Sequence, residues 1–130
     1  ALGVEMVNFD ELLERSDYVT LHTDLNETSH HLMSTAAFQA MKNTAVMVNL
    51  ARGPVVDEPA LVHALQTGEI AGAALDVFEH EPLPADSPLR AMDNVLLAPH
   101  NCNSSPKAWE NVHHSTLNQL LDGLKAGSKD

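Results

Sequence analysis

The sequence predicts an α/β fold: a partial doubly wound parallel sheet of four or five strands, followed by a long helix. Three observations carry this. Short β-branched apolar runs alternate with stretches of helical periodicity, the pattern of parallel βαβ units. The run Ala45-Val46-Met47-Val48-Asn49-Leu50 is apolar on both faces, as a strand inside a parallel sheet requires. The chain has 130 residues, 44% hydrophobic and 19% charged, enough for one globular domain and its core.

The elements follow in order. Asn8 can cap a helix over Phe9–Arg15, with Glu11 as its capping-box partner three residues on. Tyr18–His22 reads as a strand, and the polar stretch Thr23–His31 follows it. Ser34 is placed to cap a short helix through Met41, and Lys42-Asn43-Thr44 turns into the strand Ala45–Leu50. Asp57 caps the next helix, with Pro59 in its first turn, where a missing N–H costs nothing. Leu61, Val62 and Leu65 line one face of that helix and Gly68 ends it. Ala71–Val77 is a strand of small residues, suited to close helix packing. Glu79–Arg90, with Pro82, Pro84 and Pro88, is an irregular loop. Val95–Ala98 is the last strand, stopped by Pro99, and Ser105-Pro106 opens a helix to about Leu124. The apolar side of that helix (Val112, Leu117, Leu120, Leu121 and Leu124) is too long to bury on a half-sheet and should cover another domain or another copy.

Composition removes several classes of function. Eighteen acids against seven bases give a formal charge of −11, which repels a phosphate backbone, so no nucleic acid partner is expected. No apolar run approaches the roughly 18 residues of a membrane span. The single cysteine, Cys102, cannot form an internal disulfide, which fits a reducing, cytoplasmic setting. The sequence opens Ala1-Leu2-Gly3-Val4, with no pattern of a signal peptide.

Chemistry should gather beyond the carboxyl ends of the strands, where open parallel sheets bind ligands. Just past the four strands lie His22-Thr23-Asp24, Ala51-Arg52-Gly53, Asp76 with the loop carrying Glu79 and Glu81, and His100-Asn101-Cys102. An arginine fork matches a carboxylate bidentately. A histidine beside a carboxylate gives or takes a proton from one fixed tautomer. Together they describe a site for a small carboxylic acid. Metal is not expected: His30-His31 and His113-His114 are adjacent pairs read as packing or solvent-facing, and His100-x-Cys102 lacks two further ligands. Cys102 has no clear activating neighbour, and Trp109 and the five methionines are read as packing residues.

Three segments also resemble a known family. Asn49-Leu50-Ala51-Arg52-Gly53-Pro54-Val55-Val56-Asp57, Gly72–Pro82 and Asn94–His100 are similar to signatures of the NAD-dependent D-2-hydroxyacid dehydrogenases, particularly the phosphoglycerate, glyoxylate and hydroxypyruvate reductase branches. The resemblance implies a Rossmann-like sheet and hydride transfer between NAD(H) and a small 2-hydroxy or 2-oxo acid. It implies that Arg52 holds the substrate carboxylate, that His100 is the acid–base and that Glu81, rather than Glu79, hydrogen-bonds it. Asp76 would receive the nicotinamide carboxamide; His22, Thr23, Leu50, Ala51, Arg52 and His100 would wall the cofactor. A homodimeric parent is also implied. Asp24 stands where the family commonly has proline, and Asn101-Cys102-Asn103-Ser104-Ser105 where many members have a Gly- or Ala-rich run.

No Gly-x-Gly-x-x-Gly occurs in the chain. In the family it resembles that motif lies upstream with most of the substrate domain, so the resemblance implies that residues 1–103 are the carboxyl-terminal half of a dinucleotide-binding domain and 104–130 a crossover helix returning to a substrate domain. Such a chain is expected to be inactive alone. Two other readings stand beside this one: a dinucleotide-sensing, corepressor-like interaction module, and an inactive truncated fragment.

Overall fold

A computed structural model describes residues 3–127. They fall into two compact units, divided between His100 and Asn101. The first unit runs α1 (Phe9–Arg15), β1 (Tyr18–Leu21), α2 (Thr35–Ala40), β2 (Val46–Asn49), α3 (Glu58–Thr67), β3 (Gly72–Leu75) and β4 (Val95–Leu97). The second carries α4 (Pro106–Gly127).

Local hydrogen bonds set the helix ends. The Asn8 side chain accepts from the Glu11 N–H at 2.9 Å, and Asp57 accepts from the Ala60 N–H at 3.0 Å. Gly68 closes α3 in the left-handed conformation at φ 74°, which costs a residue without Cβ little. Two caps differ from expectation. The Glu11 carboxylate takes a bond from Arg15 Nη1, one turn along the helix, instead of completing a capping box. Ser34 occupies the N-cap position of α2 but its hydroxyl makes no cap bond.

The four strands are parallel in the order β1-β2-β3-β4. Two successive right-handed crossovers stepping in one direction place α2 and α3 on the same face. The core agrees: Leu13, Phe38, Leu61, Ala64 and Leu65 from the helices join Val19, Leu21, Met47, Ala73 and Leu75 in one buried cluster. Strand side chains alternate between faces, so the other face carries Tyr18, Thr20, Val46, Val48, Ala74 and Leu96. Tyr18 is 73% exposed, Leu96 70%, and both valines are half-buried. The expectation that β2 is covered on both faces is thus corrected: within this unit the helices cover one.

The strands are shorter than their apolar runs, because pairing thins at the ends. His22 lies beyond β1, and Ala71, Asp76 and Val77 lie outside β3. The Ala71 and Asp76 amides still bond across to the Ala45 and Asn49 carbonyls at 2.9 and 3.1 Å. The loop after β3 contains a 3-10 turn at Pro88–Ala91 that the proline content had masked, and a second such turn spans Gly53–Val55. Proline suits the start of each short turn, as the second residue (Pro54) of one and the first (Pro88) of the other, since its φ is already near-helical.

Within the second unit, Ser105 Oγ accepts from the Ala108 N–H at 3.0 Å at the start of α4. The helix runs three residues past Leu124. Val112, Leu117, Leu120, Leu121 and Leu124 are each more than half exposed, as is Trp109, which is therefore no core residue. Met33, Met41 and Met47 are core; Met6 is exposed. Among the described residues no helix is long and apolar enough to cross a membrane.

Phe38 is fully buried at the meeting of α2 with the rest of the core. Phe38→Ala should cost about 3–5 kcal/mol of unfolding free energy in a urea titration, the usual loss for an emptied aromatic site. A loss below about 1 kcal/mol would contradict this core.

Candidate active site

Leu21, Asn49, Leu75 and Leu97 are successive partners across the parallel ladder, so all four strands end at one level. The residues that follow share a rim. His22 and Thr23 leave β1, Leu50-Ala51-Arg52 leave β2, Asp76 leaves β3, and Ala98-Pro99-His100 leave β4.

His100 and Glu81 are brought into direct contact. His100 Nδ1 lies 2.8 Å from Glu81 Oε2, and Glu81 Oε1 accepts the Phe78 N–H at 3.0 Å. An ionised carboxylate only accepts, so Nδ1 carries the proton and Nε2 is the ring atom left for proton exchange. The hydrogen bond with His100, then that from Phe78, holds the Glu81 carboxyl below the ordinary glutamate range; burial and the nearby Asp76 charge act the other way. His100 adopts a left-handed backbone at φ 54°, which costs an L-residue roughly 1–2 kcal/mol. Glu81 and His100 line a cavity of about 600 Å³ with Phe78, Pro82, Leu83, Leu97 and Pro99.

Glu79, the other candidate glutamate, turns elsewhere. Its Oε1 lies 2.8 Å from His31 Nε2. Burial pushes its carboxyl up, but the bonds from His31 and from the Glu58 amide outweigh this and leave it below the ordinary range. His30 and His31 do not diverge as helical neighbours would; they lie in a loop, with rings stacked at 4.0 Å.

Arg52 is exposed, and its Nη1 donates to the Ala51 carbonyl at 2.6 Å. Arg15, Lys42, Lys107 and Lys125 each pair with an acid, and Arg52 forms no ion pair among the described residues. Arg90 reaches the cavity wall but donates to the Pro84 and Leu83 carbonyls. Asp76 is buried at 2% exposure, one residue past β3. Leu50 is exposed, Ala51 buried, and His22 Nε2 lies 2.9 Å from Thr20 Oγ1.

Two residues important to this arrangement were not singled out by the sequence. Asn49, only 1% exposed, accepts the Ala51 N–H and donates to the Arg52 carbonyl, each at 3.0 Å, and so shapes the turn that presents Arg52. Its signal was a polar residue closing an otherwise apolar strand. Gly53 passes so close to the next loop that a Cβ would sit 1.8 Å from the Phe78 carbonyl oxygen.

The parallel sheet and its rim define an α/β domain of the kind that binds a ligand beyond its strand ends. Residues 1–102 match the model of the D-isomer specific 2-hydroxyacid dehydrogenase family, NAD binding domain. The chain belongs to that family. It is 52% identical over 120 residues to a glyoxylate reductase of Korarchaeum cryptofilum, covering 92% of this chain and 36% of the relative. Among solved structures, D-lactate dehydrogenase with NAD+ from Lactobacillus jensenii aligns at TM-score 0.79 and 35% identity, over 86% of this chain and 38% of that one. A D-isomer specific 2-hydroxyacid dehydrogenase from Xanthobacter autotrophicus Py2, in complex with NADPH and MES, aligns at 0.69 and 48%, over 71% and 29%. The chain thus spans little more than a third of the curated relative's length.

Carboxyls held low stabilise the fold above the ordinary glutamate pKa, and that contribution is lost as pH falls through the lowered value. Carbon-13 titration should therefore place Glu79 and Glu81 below the roughly 4.3 of a free glutamate. Values at or above it would contradict both contacts.

Proposed function

We propose that the chain is part of an oxidoreductase that moves a hydride between NAD(H) and a small 2-hydroxy or 2-oxo acid, with Arg52, Glu81 and His100 as its catalytic residues. The observation that carries the reading is the 2.8 Å contact between Glu81 and His100 Nδ1 at the rim, which leaves Nε2 for proton exchange. The family and the name of the glyoxylate reductase relative support the substrate class.

The donor set suits the cofactor's nicotinamide end. Asp76 is a buried acid able to accept from a carboxamide, Leu50 offers an exposed apolar contact, and His22, Thr23 and Ala51 complete the wall. When bound, the nicotinamide supplies or receives the hydride; the protein supplies position and charge. Arg52, with no acid partner among the described residues, grips the substrate carboxylate through its fork and polarises the adjacent carbonyl. As hydride reaches the carbonyl carbon, charge develops on its oxygen. His100 Nε2 gives its proton there, while Glu81 stabilises the imidazolium through Nδ1. In oxidation, Nε2 takes the hydroxyl proton instead. We further propose a cytoplasmic homodimer as the working enzyme, a reading supported by the lone exposed Cys102 and the exposed apolar side of α4.

The phosphate turn that normally seats a pyrophosphate on a helix amino terminus has no counterpart in these 130 residues. Calorimetry should therefore find no submicromolar binding of NADH to the 130-residue chain; such binding would contradict this division of labour.

Turnover of glyoxylate and hydroxypyruvate by the full-length enzyme carrying this chain tests the mechanism. His100→Asn should lower reduction by roughly 10²–10⁴, the usual worth of a positioned acid. Glu81→Gln should also lower reduction, because it removes the carboxylate that holds Nδ1, and Arg52→Lys should chiefly weaken substrate binding. Near-normal reduction by His100→Asn would overturn the assignment and favour a dinucleotide-sensing interaction module.

A further inference from the structure

Outside the catalytic contact, one cluster of titratable groups joins three separate segments of the first unit. At its centre is the Glu79 carboxylate. Oε1 meets His31 Nε2 at 2.8 Å, and Oε2 accepts the Glu58 N–H at 3.2 Å, at the first turn of α3. The exchange is reciprocal, because Glu58 Oε2 accepts the Glu79 N–H, also at 3.2 Å. The helix amino terminus favours the negative charge brought to it.

His31 is itself anchored to the turn after Arg52. Its N–H donates to the Pro54 carbonyl at 2.8 Å, Met33 N–H donates to Val55, and Asp57 N–H returns to Met33. This short parallel bridge fixes residues 31–33 along residues 54–57. His31 holds a left-handed backbone at φ 52°, a conformation that persists in an L-residue only where surrounding contacts demand it. Its ring is stacked on His30, which restricts the direction in which Nε2 can point.

Glu79 stands two residues before Glu81, and Arg52 stands two before Pro54. The His31–Glu79–Glu58 cluster therefore ties the turn bearing Arg52 to the loop bearing Glu81. Gly53 shows how tight the joint is, since its Cα passes against the Phe78 carbonyl with no room for a methyl. Phe78 in turn donates the N–H that holds Glu81 Oε1. A shift of this loop would move the carboxylate that orients His100.

We propose that His31 and Glu79 are positioning residues, which clamp the Arg52 turn to the Glu81 loop and so set the separation of carboxylate grip and proton donor. This rests on the reading of Arg52, Glu81 and His100 given under the proposed function. Neither residue touches the reacting atoms. Their effect runs through the backbone between Phe78 and Glu81 on one side and between Arg52 and Glu58 on the other.

The test has two arms. In the 130-residue chain, amide hydrogen exchange is compared for Phe78 in the loop and Met47 and Ala73 in the sheet. His31→Ala should speed exchange at Phe78 about tenfold with the sheet amides unchanged. His31→Gln, whose amide nitrogen can reach Glu79 and whose backbone strain matches that of alanine, should restore most of the protection. In the full-length enzyme, His31→Ala and Glu79→Ala should lower kcat for 2-oxo acid reduction about ten- to a hundredfold, as a small misplacement does. KM for NADH should stay within about twofold, and His31→Gln should recover kcat. Unchanged Phe78 exchange in His31→Ala, or full kcat in both alanine variants with His100→Asn inactive, would overturn the inference. Loss of sheet protection equal to that at Phe78 would also overturn it, as the mark of a general stability role. An inactive unsubstituted enzyme would count against the proposed function instead, and the exchange arm would still decide the clamp.

Discussion

The level ending of four parallel strands is the constraint on which the candidate site depends. A parallel ladder pins each strand to its neighbour, and here Leu21, Asn49, Leu75 and Leu97 share one row. Residues 79 positions apart in sequence, from Leu21 to His100, thereby leave the sheet at the same edge. The register is itself enforced by burial: a slip of one residue would turn Met47 and Leu75 outward and Tyr18 inward. The hydrophobic core thus decides where the chemistry can occur.

Above that edge, polar contacts divide the work. Asn49 shapes the Arg52 turn from below by using both ends of its amide on backbone groups. The loop after β3 spends one glutamate on architecture and the other on His100. These two acids differ by only two positions but face different surroundings: Glu79 is about one-fifth exposed and Glu81 more than one-third. The more open pair is the one placed beside the cavity, where a substrate could reach it. An acidic chain with a net charge of −11 would repel an organic acid on average, so local positive charge has to be kept available. In the proposed function Arg52 supplies that charge: Arg15, Lys42, Lys107 and Lys125 are paired with nearby acids, and Arg90 is turned onto backbone carbonyls.

Much of this was legible in the sequence wherever the determinant was local. Asn8, Asp57 and Gly68 act within four residues, and each marked its helix boundary correctly. The strands were legible from their apolar runs, though not their ends, because run length reports burial and not pairing. Coverage of the sheet was less legible: Val46 and Val48 look like interior residues, but what lies against them depends on where the helices cross, which the strand itself does not encode. The Glu81–His100 contact was legible only through the family resemblance, which implied it. The His31–Glu79 contact spans 48 positions and left no local trace, so His31 read as an ordinary packing histidine. Asn49 was visible as a polar residue within an apolar run and as the first residue of a family-like segment, but neither showed its bonds to the Arg52 turn.

The most direct test of the account is the tautomer of His100, read from its ring nitrogen-15 shifts in the 130-residue chain at a pH where the imidazole is neutral. The account predicts that Nδ1 carries the proton, held by Glu81, and that Nε2 is bare. A population dominated by the Nε2–H form, or one unchanged by Glu81→Gln, would contradict it.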